Sequence, residues 1–155
     1  MFNRYQFEAD VYKSLDQMPL EVRMKLDETG AKISLKDWLS FSQEERLGLC
    51  NLPVEAEEGG GDFVSYLLVL IRKYRGETLE LARPPLELPW YNPAEVPDPV
   101  LQRSREFAQP ISPDEWAQLD VFQRYALIKL SVSKNEPERF RAALEEFREE
   151  ICHSS

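Results

Sequence analysis

The sequence predicts an all-α protein, a compact helical bundle built from two related helical units. Three observations carry that prediction. The run from Ile33 to Val54 returns without a gap, 78 positions later, as the run from Ile111 to Val132, pairing Ser34/Ser112, Trp38/Trp116, Arg46/Arg124, Leu49/Leu127 and Leu52/Leu130. Apolar residues recur at three- and four-residue intervals, the period of a helix face. Helix-start signals stand at matching places in both copies. A chain of 155 residues fits a single domain. Repeat units over about 18–76 and 96–151, with a proline-rich linker over 82–99, describe its expected organisation. One shared core and two separate cores both remain open.

Phe7, Val11 and Leu15 place an apolar stripe on one side of a short first helix. From Leu20 to Leu26 apolar and polar residues alternate, the signature of a strand turning at 27–30. The repeat argues for a helix instead. At the same shift Pro19, Val22 and Lys25 meet Pro97, Val100 and Arg103, and the second copy shows no alternation. A helix opening after Pro19 and closed by Gly30 in a left-handed cap is therefore expected, with a hairpin as the alternative.

In the repeated segment, Ser34 and Ser112 are placed to cap short helices, with Asp37 and Glu115 three residues on, as a reciprocal capping box requires. Ile33 before one cap and Trp38 after it, and likewise Ile111 and Trp116, have the spacing of a hydrophobic staple. Four residues past each tryptophan stands a second cap, Ser42 or Asp120, followed by Glu45 or Gln123. The expected corner is short helix, cap, longer helix.

The acidic, glycine-rich run 54–62 reads as a flexible connection, with Asp62 as the next cap. The run 63–71 is apolar nearly all round, which predicts a central buried helix ending at Gly76. Its counterpart over 137–151 carries a narrower stripe through Phe140, Leu144, Phe147 and Ile151 and is expected further out. Pro84, Pro85, Pro89, Pro93, Pro97 and Pro99 predict an extended, polyproline-like path between the copies.

A net charge of −9 without a basic face excludes sequence-independent binding to nucleic acid or anionic membrane, and favours solubility or a basic partner surface. The longest apolar run is too short to cross a bilayer, and the opening residues lack the order of a signal peptide, so a cytoplasmic protein is expected. Cys50 and Cys152 belong to no metal-ligand spacing and read as reduced thiols. No nucleophile–base pair, phosphate loop or metal cluster can be assembled, so no catalytic residue, metal or cofactor is assigned.

The residues with functional promise are few. Trp38 and Trp116, with Ile33 and Ile111, read as structural staples. Arg46 and Arg124 recur in both copies, either packing on the tryptophans, bridging to an acid or gripping an anion. Arg23, Lys25 and Asp27 are either a solvated face or a binding patch. Trp90 and Tyr91, in the proline-rich linker, either pin that segment to the protein or offer themselves to a partner.

The runs 19–46 and 116–131 together resemble the nitrate reductase associated proteins, a small family known chiefly from cyanobacteria and found in other bacteria. The resemblance rests on Pro19, Val22-Arg23-x-Lys25-Leu26-Asp27-x-x-Gly30, then Trp38, Phe41 and Glu45-Arg46, and later Gln123-Arg124-x-Ala126-Leu127-Ile128-Lys129-Leu130. The run 54–62 and the segment after Ser131 depart from that pattern. The resemblance implies an accessory role in nitrate assimilation, since genes of this family lie beside those for nitrate reductase and molybdopterin synthesis. It implies nitrate reductase as the protein partner and assigns no activity. Two readings stand: a non-catalytic factor that binds nitrate reductase and assists its maturation or activity, or a small-ligand protein in which Arg46 and Arg124, or Arg23 and Lys25, hold an anion or a molybdopterin-type cofactor. An enzyme of cofactor handling is the weakest reading, for lack of a general base.

Overall fold

The computed structural model describes residues 5–52, 61–82, 88–133 and 137–154. The runs 53–60, 83–87 and 134–136, with most of the expected glycine-rich connection and with Pro84 and Pro85, lie outside the described residues. The chain divides into two compact units, one holding Ala9–Leu86 and the other Tyr5–Glu8 with Glu87–Ser155. Among the described residues the protein is mostly helical, with nine α-helices and one pair of two-residue strands.

The first unit contains α1 (Ala9–Ser14), α2 (Leu20–Thr29), β1 (Ala31–Lys32), α3 (Leu35–Ser40), α4 (Gln43–Asn51), α5 (Gly61–Arg75) and β2 (Glu80–Leu81). The expected stripe Phe7–Val11–Leu15 is not one helix. Gln6–Glu8 form a single 3-10 turn belonging to the second unit, and Leu15 ends α1 in the left-handed region, at φ 56°. Residues 20–29 are helical rather than a hairpin, and burial of Leu20, Val22, Lys25 and Leu26 follows a helical face. Gly30 closes α2 at φ 79°, where a side chain is disfavoured, and donates its N–H to the Leu26 carbonyl. Directly after that cap β1 pairs antiparallel with β2, Ala31 opposite Leu81 and Lys32 opposite Glu80. The hairpin alternative would have paired a strand here with Leu20–Leu26, whereas the partner is β2, which two residues without readable alternation do not announce.

Helix α5 corrects a second expectation. Phe63, Leu67, Leu70 and Ile71 are buried at helical spacing, but Val69 is 58% exposed, so α5 is one-sided rather than buried all round. It begins at Gly61, which puts Asp62 in the first turn rather than at the cap. Its Tyr66 ring lies against α4, where a Cβ added to Gly48 would come within 3.3 Å of it.

The second unit contains a 3-10 turn at Pro89–Tyr91, then α6 (Asp98–Glu106), α7 (Pro113–Gln118), α8 (Val121–Ser131) and α9 (Pro137–Ser154). The proline-rich segment is thus not extended throughout. Pro89 fixes φ for the 3-10 turn, and Pro97 and Pro99 sit at the start of α6, where a missing N–H breaks no hydrogen bond. Helix α9 carries the expected narrow stripe, with Phe140, Leu144 and Phe147 buried beside Ala143 and Ile151 only partly so, and it packs on α8.

Both corners have reciprocal capping boxes at each helix start. Ser34 accepts from the Asp37 N–H and Ser42 from the Glu45 N–H, while Ser112 accepts from Glu115 and Asp120 from Gln123; in each box the acid or amide reaches back to the cap's own N–H. Trp38 and Trp116 have no exposed surface, Ile111 is buried, and Ile33 packs against the core that holds Trp38. The first-box acid is gripped from a later helix in each unit: Asp37 by Arg75 at 3.2 Å and Glu115 by Arg148 at 2.8 Å. Ser112→Ala should lower stability by about 1 kcal/mol, within the ~0.5–2 kcal/mol of cap removals, read from urea midpoints at unchanged slope.

The second box of the first unit titrates unusually low. Partial burial opposes the Glu45 charge, but hydrogen bonds from Lys73 at 2.8 Å, from the Ser42 N–H at 2.8 Å and from the Tyr74 hydroxyl at 2.5 Å overcome it. The carboxyl is held down at about 2, against 4.5 ordinarily. A depressed folded value makes the carboxylate stabilising above the unfolded value and progressively less so as pH falls. The stability gap between wild type and Glu45→Gln should be constant above about pH 5 and close as pH falls from 4.5 to about 2. Urea unfolding across that range checks it; a gap that does not narrow would sink the assignment.

Candidate functional site

The recurring tryptophan and arginine work together as a clamp on backbone carbonyls. In the first unit the Trp38 indole N–H donates to the Leu15 carbonyl at 2.6 Å. Arg46 donates to that carbonyl at 3.2 Å, and to those of Trp38 and Leu39 at 3.1 and 2.8 Å. In the second unit the Trp116 indole donates to the Asn92 carbonyl at 2.9 Å. Arg124 donates to the Trp90 carbonyl at 2.9 Å and twice to that of Leu119, at 3.2 and 2.7 Å. Burial draws Arg124 below the ordinary arginine value, with the Asp120 charge opposing, yet an arginine starts so high that it stays charged.

Lys25 has a parallel task. The residue is 7% exposed, and its ammonium donates to the carbonyls of Leu49, Cys50 and Leu52 at 3.2, 2.8 and 2.6 Å. Those are carbonyls of the last turn and C-cap of α4, which lack partners within the helix and carry its negative dipole end. Burial lowers the Lys25 pKa, offset in part by the Glu21 charge. Arg103 of α6 meets the end of α8 in the same way, donating to the Ser131 and Ser133 carbonyls at 3.3 and 3.4 Å.

These cations face inward, toward the backbone of their own unit. Arg46 and Arg124 belong to different units. On α2, Lys25 is turned to the end of α4, Arg23 is exposed and Asp27 is half-buried and partnered, so the structure divides the three residues rather than gathering them.

What the second clamp holds is a loop with one large side chain facing out. Trp90 is buried and meets Tyr125 edge to face, ring centres 4.9 Å apart. Tyr91, the next residue, is 52% exposed. The carbonyls on either side of Tyr91, those of Trp90 and Asn92, are the ones Arg124 and Trp116 hold. The Asn92 side chain adds an Asx turn by accepting from the Ala94 N–H at 2.9 Å. Pro89 and Pro93 flank this loop and, with Leu88, Asn92 and Glu95, line a groove of about 630 Å³ beside Tyr91. Sequence reasoning paired Trp90 with Tyr91 and passed over Asn92 and Glu95; the Asn92-Pro93 dipeptide was the available signal for a fixed turn.

Among the described residues no group of three or more His, Cys, Asp or Glu side chains is arranged to hold a metal, and no helix is long and apolar enough to cross a membrane. A family model for conserved nitrate reductase-associated protein matches residues 4–147. The chain belongs to that family. The match takes in both clamps, Lys25 and the Tyr91 loop. Curated proteins and solved structures give no significant match to this nitrate reductase-associated protein.

Proposed function

We propose that this nitrate reductase-associated protein is a non-catalytic, cytoplasmic accessory of bacterial nitrate assimilation that binds nitrate reductase and assists its maturation or activity. The family name, which associates these proteins with nitrate reductase, supports that choice of partner. The observation that carries the binding role is the exposure of Tyr91 on a turn whose two flanking carbonyls are clamped from below by Arg124 and Trp116. A tyrosine held in this way offers a large, amphipathic contact surface whose backbone loses little freedom on association. Interface energy concentrates in such residues. The prolines around it leave a groove fixed in shape before a partner arrives.

The alternative, a small anion or pterin held by arginines, has less support. Arg46, Arg124 and Lys25 are directed at carbonyls of their own units, so a ligand would have to replace those hydrogen bonds. We also read the two units as copies of one ancestral unit. Support comes from the paired tryptophan–arginine clamps, four capping boxes and the Lys25/Arg103 helix ends, all in one register.

Calorimetric titration of purified nitrate reductase, apo and holo, with this protein tests the function. Tyr91→Ala should weaken the association by about 30-fold, the ~2 kcal/mol of an interface hot spot, with thermal stability unchanged. No heat with either enzyme form would overturn the binding role. Full affinity in Tyr91→Ala would move the contact elsewhere.

A further inference from the structure

The second unit already holds a short peptide, and that peptide is its own. Tyr5–Glu8 belong to this unit, while the chain from Ala9 to Leu86 belongs to the other. Tyr5 stacks on Phe122 with ring centres 5.6 Å apart and meets Phe147 edge to face at 5.2 Å. Phe7 meets the same Phe147 at 5.5 Å. Between the two rings the Glu146 carboxylate accepts both successive backbone amides, those of Gln6 and Phe7, at 3.0 Å each. Arg139 donates to the Phe7 carbonyl at 2.7 Å, and the Gln123 amide donates to the Tyr5 hydroxyl at 3.4 Å. Tyr5 and Phe7 are buried, and Gln6 between them is exposed.

This is how a peptide-recognition site reads a segment. Main-chain donors and acceptors are held by fixed side chains, alternate side chains enter apolar sockets, and the middle residue is left unread. We infer that the Phe122/Phe147 groove of α8 and α9, with Glu146 and Arg139 at its rim, is a docking site for a partner segment of the pattern aromatic–any–aromatic, and that Tyr5-Gln6-Phe7 occupies it in cis until displaced. The pattern follows from the seated segment, since the groove supplies two aromatic sockets and one carboxylate spanning the amides between them. A tethered occupant raises the apparent Kd of any competitor in inverse proportion to the fraction of time the groove is open. The inference stands apart from the Tyr91 surface and does not depend on which protein the partner is.

The test uses the full chain and a fluorescein-labelled heptapeptide copying residues 3–9. In Tyr5→Ala/Phe7→Ala protein, anisotropy should show saturable binding of this peptide. Wild type should bind it at least tenfold more weakly, and a peptide with both aromatics replaced by alanine should not bind at all. In wild type, hydrogen exchange at Gln6 and Phe7 should be slowed yet at least tenfold faster than at Leu127, because the arm opens without global unfolding. The inference is overturned if the double variant melts cooperatively and takes no peptide. It is equally overturned if Gln6 and Phe7 exchange only as fast as Leu127, a result obtained without any variant. Dimers of wild type joined by exchanged arms would overturn it too, making a second copy the occupant.

Discussion

Arg124→Met should destabilise the protein by about 3 kcal/mol, the order expected when a charged donor is taken from two buried carbonyls. Methionine nearly matches the aliphatic stem of arginine, so packing is largely kept and the loss falls on hydrogen bonds. Two carbonyls, those of Trp90 and Leu119, lose a charged donor. Each such bond contributes about 1.5–3 kcal/mol, and a buried acceptor left bare costs about 1–3 kcal/mol. The recovered desolvation of the guanidinium offsets part of this, which keeps the sum below simple addition. Urea unfolding gives the value. A loss under about 1 kcal/mol would mean that the carbonyls find other donors and that the clamp is not needed. The Tyr91 turn should also loosen, seen as faster hydrogen exchange at Tyr91 and Asn92, whose amides bond to the Leu88 and Pro89 carbonyls.

Lys25→Met should lower stability by a similar amount, about 3 kcal/mol, through three acceptors at the end of α4. Lys25→Arg should not restore it fully. A guanidinium is a planar fork, whereas the three carbonyls converge on one point charge. The arginine that does this work in the other unit, Arg103, makes longer bonds to only two carbonyls, at 3.3 and 3.4 Å, and pairs with Glu106 as well. Thermal melts of the Met and Arg variants, compared with Arg103→Met, check the ranking: Lys25→Met lowest, then Lys25→Arg, with Arg103→Met nearest wild type. Equal melting of all three would remove the special role given to Lys25.

The parts legible in the sequence are those written within a few residues. A cap serine and the acid three positions on sit in one helical turn, so Ser34 with Asp37, or Ser112 with Glu115, declares the structure locally. The same holds for Gly30, where only the positive φ of a helix end asks for glycine. Alternation misled at Leu20–Leu26, and the register of the second copy corrected it. The purposes of Lys25, Arg46 and Arg124 were not legible. Their acceptors are backbone carbonyls, which every residue has, so no side-chain pattern marks them. Trp90 and Tyr91 look alike in sequence and are separated only by which one faces Tyr125. Phe7 completes a convincing helical stripe with Val11 and Leu15, yet its ring meets Phe147.

That last contact sets an order of events along the chain. The bonds from Glu146 to Gln6 and Phe7 span 140 and 139 positions. The unit formed by Ala9–Leu86 has its contacts within that span and is synthesised whole before α9 exists. The second unit is closed only when Glu146 and Phe147 have been made and find a segment translated well before them. Closing so long a loop carries an entropic penalty that local contacts avoid, and it slows the step in which it occurs. Refolding of this protein should therefore end with the return of Tyr5–Glu8, and until they return two phenylalanine rings of α8 and α9 stand without their cover.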